Sequence, residues 1–319
     1  MRKKILSLLI CLLLATSFSG CAKVKATITT TVYPVKYLVE KLAGNKVDVQ
    51  YISEETFIQR SRIADNYKEM LEKTDLLIYV GELEPYMDIF QEEIQTYSFS
   101  IINLASLSAV YNFRRYKIAK VNGVNVTTES KYYDSPLFDL TDMYNMDPFI
   151  WMDPISMSSM ALTIKEWLQQ RYPEESLVFE NNFKSLQAEL VRMDAEYRQL
   201  LNYSNIKIVT VAPTFGCWQK VYGVEVYPLI TSRFGVLPTE EQLDYIKKQI
   251  TANGVKYIVY DPTLPEDMQQ LYARVKEELD LKEIQLSSLS ILSEADKEKD
   301  KDYKTIMYEN LTTLENAFK

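Results

Sequence analysis

Histidine is absent from this 319-residue chain, and glycine is scarce at eight residues. Without imidazole there is no Ser-His-Asp or Cys-His arrangement. The few glycines form neither a phosphate-cradling P-loop nor a GxGxxG fingerprint. Cysteine is rarer still, three in all, so there is no disulfide framework even where an oxidising compartment would allow one. A positive excess is missing too: 36 Lys and Arg against 44 Asp and Glu leave a net charge of −8, without the electrostatic footprint that nucleic acid requires. Asp147 and Asp153 could be drawn as an acid-base pair, but each precedes a proline, and Asp-Pro turn duty explains both. Cys217 stands beside Trp218 without a paired base and reads as a core thiol. The sequence argues for neither an enzyme nor a nucleic-acid binder.

Long apolar runs are also missing, with one exception at the start. Met1-Arg2-Lys3-Lys4 is basic, Ile5 to Leu14 is almost wholly apolar, and Phe18-Ser19-Gly20-Cys21 closes the run with small residues before a cysteine. Such a run is too short and wrongly flanked for a spanning helix and has the order of a secretory signal. The cysteine after small residues reads as a lipobox. Residues 1–20 are then a lipoprotein signal peptide, and lipidated Cys21 holds the protein at the cell surface, on the outer face of the cytoplasmic membrane. A plain cleaved signal or an uncleaved anchor is the alternative. Over the whole chain the balance of 47% apolar and 25% charged residues is that of a folded protein, and the residues beyond the leader are enough for two domains.

What is present is alternation. Ala26 to Val32 reads as a strand, Pro34 opens a helix to about Ala43, and Val47 to Ile52, Asp75 to Gly81 and Ile101 to Leu104 read as further strands. The second half repeats the recipe. Strands fall at Ile206 to Val211, Val224 to Ile230, Val255 to Tyr260 and Ile284 to Leu289. Helices fall from Thr239, as N-cap, to Ala252, from Pro265 to Leu279, and from Asp302 to Phe318. Between the halves, Phe179, Phe183, Leu186, Leu190, Met193, Tyr197 and Leu200 recur every three or four residues in a stretch free of Gly and Pro, which predicts one sustained helix. The fold class is α/β: two lobes, each with a mostly parallel sheet flanked by helices, joined by one long rigid connecting helix. The expected divisions are an N-terminal lobe at 21–173, the connecting helix at 174–203 and a C-terminal lobe at 204–319. Loops at the carboxyl ends of the strands would line the cleft between the lobes.

One stretch, Asp147-Pro-Phe-Ile-Trp-Met-Asp-Pro154, stands out. Its two Asp-Pro turns predict an extended tetrapeptide that aims alternate side chains into that cleft. It also carries a resemblance. Thr29-Thr-Thr-Val-Tyr-Pro34, Asp75-Leu-Leu-Ile-Tyr-Val-Gly-Glu-Leu-Glu-Pro-Tyr-Met87, the double Asp-Pro segment, Val209-Thr-Val-Ala-Pro-Thr-Phe-Gly216 with Tyr222-Gly223, Val255 to Pro262 and Tyr303 to Leu314 occur in one order. Together they resemble the metal-type solute-binding lipoproteins of bacterial ABC importers, which deliver zinc or manganese. The resemblance implies a metal site between the lobes, built from three histidines and one carboxylate. It also implies a permease and its ATPase as partners, with the binding protein a monomer.

The implied histidine positions fall on Gln59, Phe149 and Ala212, and the acid on Asp261. Segment 111–146 replaces the histidine-rich loop that some zinc members carry. A phenyl ring and a methyl group donate nothing to zinc, and a single carboxylate with one amide oxygen holds a dication only weakly. The expectation is therefore a solute-binding lipoprotein with a degenerate metal site, whose only cofactor would be a weakly bound divalent metal. Such an ion could be held by Asp261 and Gln59 with acids such as Glu54 or Glu55. Trp151, Arg60 and Arg62 are further cleft candidates, the arginines as grips for a small non-metal solute. Each has a plainer reading: Phe149, Ala212 and Trp151 as packing, Gln59 to Arg62 as a solvated loop, Asp261 as a turn residue, and Glu84 as scaffold. The alternative function is a non-transporting surface interaction or regulatory lipoprotein on the same scaffold.

Overall fold

The computed structural model describes residues 25–53, 57–108 and 110–319. The leader with Cys21 lies outside them, as do Glu54 and Glu55. Strands β1 (Ala26–Thr30), β2 (Val47–Tyr51), β3 (Leu76–Tyr79) and β4 (Ser100–Asn103) form a parallel sheet in the order β2-β1-β3-β4. An antiparallel hairpin, β5 (Arg115–Val121) and β6 (Val124–Ser130), stands apart from it. Strands β7 (Lys207–Thr210), β8 (Glu225–Pro228), β9 (Tyr257–Tyr260) and β10 (Lys282–Gln285) form a second parallel sheet, β10-β9-β7-β8. Each sheet therefore reverses direction once, between β1 and β3 in one and between β7 and β9 in the other. Parallel α/β sheets open a crevice at such points.

The helices follow their local signals. They are α1 (Tyr33–Ala43), α2 (Tyr67–Glu72), α3 (Pro85–Ile94), α4 (Pro154–Arg171), α5 (Ser176–Tyr197), α6 (Gly216–Val221), α7 (Glu240–Ala252), α8 (Glu266–Glu278), α9 (Glu294–Glu298) and α10 (Tyr303–Phe318). Proline opens α1, α3 and α4, where its missing N–H costs nothing. Thr239 caps α7 in a reciprocal capping box with Gln242. The predicted stripe is buried from Phe179 to Leu200, and short 3₁₀ turns at Pro173–Glu175 and Arg198–Asn202 extend α5 at both ends. That helix touches both halves. Asn182 Nδ2 donates to the Leu42 carbonyl at 2.9 Å, while Tyr197 Oη donates to the Met307 carbonyl at 2.6 Å and Tyr222 Oη to Asp194 at 3.0 Å. One apolar cluster runs from Ala26 to Leu314 through both lobes.

The extended shape expected of the double Asp-Pro segment is overturned. Ile150–Met152 is a 3₁₀ turn, because Asp147 Oδ1 accepts the Phe149 N–H at 3.0 Å and bends the chain at once. The Phe149 and Ile150 carbonyls then accept the N–H groups of Met152 and Asp153 at 3.1 and 3.2 Å. All four residues of the tetrapeptide Phe149 to Met152 are buried rather than alternate ones. Asp153 leaves the turn as N-cap of α4, accepting the Ile155 and Ser156 N–H groups at 3.1 and 3.3 Å.

Candidate functional site

Strand order brings the implied site residues toward one seam. In the C-terminal sheet, Ala212 lies two residues past β7 and Asp261 directly follows β9, so both stand at that sheet's reversal point. In the N-terminal half, Gln59 sits in a 3₁₀ turn, Ile58–Arg60, beyond β2, and Phe149 leads into the turn before α4. A chain of contacts links three of the four. The Gln59 side chain lies beside the Tyr144 hydroxyl. The Tyr144 and Phe149 rings meet edge-on at 6.1 Å, as do Phe149 and Trp151 at 5.5 Å. Trp151 Nε1 donates to the Ser288 carbonyl at 2.9 Å, and the Ser288 N–H donates to Asp261 Oδ2 at 3.2 Å. Ala212 is buried at the same reversal point.

The donor set does not fit a four-ligand zinc site. Asp261 Oδ1 accepts both the N–H and the hydroxyl of Thr263, at 2.9 and 2.7 Å, so both carboxylate oxygens serve local backbone and turn. Gln59 Nε2 donates across the seam to the Ser232 carbonyl at 3.0 Å, and Oε1 is buried without a hydrogen-bond partner. Phe149 and Ala212 offer no lone pair. Among the described residues no group of three His, Cys, Asp or Glu is placed to hold a metal ion. A closed tetrahedral zinc site takes nitrogen, thiolate or carboxylate at all four corners and an open one at three, and here only Asp261 supplies one.

The arginines divide. Arg60 reaches over the seam: Nη1 meets both oxygens of Asp267 at 2.9 Å, and Nε donates to the Gly235 carbonyl at 3.0 Å. Its charge is matched by protein, which argues against an anionic solute there. Arg62 is exposed. Local patterning had not singled out Arg233, which crosses in the opposite direction. Its Nε donates to Asp142 at 3.1 Å, Nη1 lies 3.4 Å from Asp88, and its carbonyl accepts the Tyr144 hydroxyl at 3.1 Å.

Two carboxyls flank the seam without facing solvent. Glu84 sits at the N-terminal sheet's own reversal point, accepting from the Thr31 hydroxyl and from the Val80 N–H at 3.0 Å. Burial pushes it up to about 7. Asp147, the first acid of the double motif, is likewise pushed up to about 7 by burial. Burial also holds the Cys217 thiol well above its ordinary value, so it is an inert core group.

Two parallel α/β lobes with a helix touching both define a two-lobe α/β fold. Comparison with known proteins makes the class specific. Residues 28–317 match the family model described as ZnuA, zinc-uptake complex component A, periplasmic, and the chain belongs to that family, which is one of importer binding proteins and not of enzymes. It is 22% identical over 301 residues to the zinc-binding protein AdcA of Streptococcus pyogenes serotype M3, covering 92% of this chain and 56% of AdcA. It is 22% identical over 324 residues to the zinc-binding lipoprotein AdcA of Streptococcus pneumoniae serotype 4, covering 98% of this chain and 61% of that protein. The chain thus spans little more than half the length of these relatives. Among solved structures it superposes on the periplasmic zinc-binding protein TroA of Treponema pallidum with a TM-score of 0.72 at 17% identity, covering 92% and 99% of the two chains.

Proposed function

We propose that this chain is a lipid-anchored solute-binding component of a metal-type ABC importer whose inter-lobe site no longer captures zinc as a four-ligand centre. The observation that carries the reading is the engagement of the would-be ligands by the protein itself. Asp261 Oδ1 accepts from Thr263 and Oδ2 from Ser288, while Gln59 is held across the seam by its Nε2 on Ser232 and offers a single neutral amide oxygen. A dication would have to displace these bonds and gain only one carboxylate. On this reading Gln59, Phe149 and Ala212 stand where the family's histidines would be, and any divalent metal is held weakly. The partners are a permease and its ATPase, Cys21 supplies the membrane tether, and the binding protein is a monomer.

A second reading, a surface interaction protein that transports nothing, is supported by the burial of Phe149 at 1% exposure, since a seam packed with hydrocarbon has little room for cargo. Native mass spectrometry of the full chain, purified without chelator and then titrated with zinc and manganese, tests the degenerate-site proposal. Bare mass throughout is expected. A stoichiometric zinc adduct lost on Asp261→Ala overturns it.

A further inference from the structure

The seam is bridged by two arginines that point in opposite directions. Arg60, from the N-terminal lobe, holds Asp267 at the start of α8 and the carbonyl of Gly235. Arg233, from the C-terminal lobe, holds Asp142 and Asp88, the latter on α3. Asp88 is the contact that crosses, because Asp142 lies in the 111–146 segment, which is itself bonded to the C-terminal half by Tyr133 on the Pro228 carbonyl, Gln242 on the Leu137 carbonyl and Tyr245 on the Asp134 carbonyl. The Arg233 N–H on the Asp142 carbonyl at 2.8 Å and the Tyr144 hydroxyl on the Arg233 carbonyl orient Arg233 toward Asp88. Gln59 adds a third crossing to Ser232, next to Arg233 in sequence. Parting the lobes breaks all three at once, because their donors sit on different sides.

The geometry suits a fastener better than a ligand site. Arg60 meets Asp267 through one nitrogen shared between two oxygens while its remaining donors take a carbonyl, so the guanidinium is fixed in plane and spent on protein. The side chains are partly exposed, 33% and 41% for Arg60 and Asp267, 24% and 64% for Arg233 and Asp88, so each bridge is individually weak and open to screening. Reciprocity makes their effects combine on one motion. In a two-lobe binding protein, closure is normally won by a ligand that touches both sides. Here the protein touches itself.

We propose that Arg60 and Arg233 form a reciprocal latch that keeps the lobes closed with no solute present, in the bridging role that a bound ion would otherwise fill. The proposal rests on the degenerate-site reading and explains how a seam without ligands stays shut. Its consequence for a partner is definite: a permease that distinguishes closed from open binding proteins would meet this one always in the closed form.

The test measures the distance between spin labels carried on non-canonical amino acids at exposed Glu69 and Lys248, in the full chain, in EDTA and again with excess zinc. Wild type should give one short distance in both conditions. Arg60→Asp should raise the open-to-closed ratio by about tenfold, the equivalent of about 1.4 kcal/mol, and Arg60→Asp with Asp267→Arg should move the distribution back. Near-ultraviolet circular dichroism checks that each variant is folded. An Arg60→Asp variant as closed as wild type, or one that the charge swap fails to reclose, overturns the latch and leaves the degenerate-site reading standing. A wild type that is open in EDTA and closes on zinc overturns that reading along with it.

Discussion

Truncating Phe149 to alanine separates a packed seam from an open cleft. Its ring is 1% exposed and meets Tyr144 and Trp151 at 6.1 and 5.5 Å. A buried phenylalanine removes at least about 150 Å² from water, which at roughly 25 cal/mol per Å² is about 4 kcal/mol. That figure is an upper estimate, since the unfolded chain already hides part of the ring. The two ring contacts add about 0.5–1.5 kcal/mol each. Large-to-small core changes of this kind cost about 3–5 kcal/mol, and about 4 is expected here. Urea unfolding of the full chain, followed by tryptophan fluorescence because Trp151 lies against the lost ring, should show that loss. It should also lower the melting temperature by about 8 °C at roughly 2 °C per kcal/mol. A loss below about 1 kcal/mol would mean that the ring faces an open cleft, and the argument that this position has become core would fail.

Three further outcomes follow from the same structure. Burial holds Glu84 and Asp147 near 7, so between about pH 4 and pH 7 the folded chain binds protons that the unfolded chain has released. Stability from these groups is therefore greatest at the acid end, falls as pH rises through that window, and is flat above it. Unfolding free energies at pH 5, 6, 7 and 8 should show this fall, and Glu84→Gln and Asp147→Asn should flatten it; unchanged slopes refute the assignment. Arg115 is 1% exposed, stacked 3.9 Å over Tyr227, with Nε and Nη2 lacking acceptors. Arg115→Met should therefore stay within about 1 kcal/mol of wild type or exceed it in chemical denaturation, since a buried guanidinium with two nitrogens unpaired is costly and the stacking on Tyr133 and Tyr227 offsets it only in part; a loss above about 3 kcal/mol would contradict that. Zinc at a hundred times the Kd of a tight site would add about 2.7 kcal/mol, a melting shift of roughly 5 °C. A shift below about 1 °C is expected, and a larger one abolished by Asp261→Ala refutes the degenerate-site reading.

How far the sequence could be read depended on the range of each interaction. The stripe from Phe179 to Leu200 and the Thr239 N-cap were legible because their partners lie within a few residues. The β5–β6 hairpin carried its own signal, Asn122-Gly123 between valines with φ of 51° and 83°, a turn that accepts only residues tolerant of positive φ. The tyrosine-, asparagine- and lysine-rich composition of 111–146 masks that local signal. The double Asp-Pro segment misled for a related reason: the proline rule constrains backbone preference, whereas the Asp147 carboxylate, by taking the Phe149 N–H, decided the shape. Arg60 was beyond any local rule, since its partners lie 175 and 207 residues away.

The loss of ligands and the gain of cross-seam bonds bear on one another. A metal site needs donors with free lone pairs held at a distance until the ion arrives. Gln59 on Ser232 and Arg60 on Asp267 instead use short contacts that exist only when the lobes meet, and Phe149 fills its position with a ring packed on Tyr144 and Trp151. Restoring histidine at Gln59, Phe149 and Ala212 while leaving Arg60 and Arg233 in place would therefore supply nitrogen donors to a seam still occupied by packed side chains and still latched. The expected calorimetric result is little zinc binding from the histidines alone, and a gain when Arg60→Asp is added and the lobes can part. Tight binding by the histidine variant without that release would show that closure and ligand loss are independent, and the latch would have no part in excluding the ion.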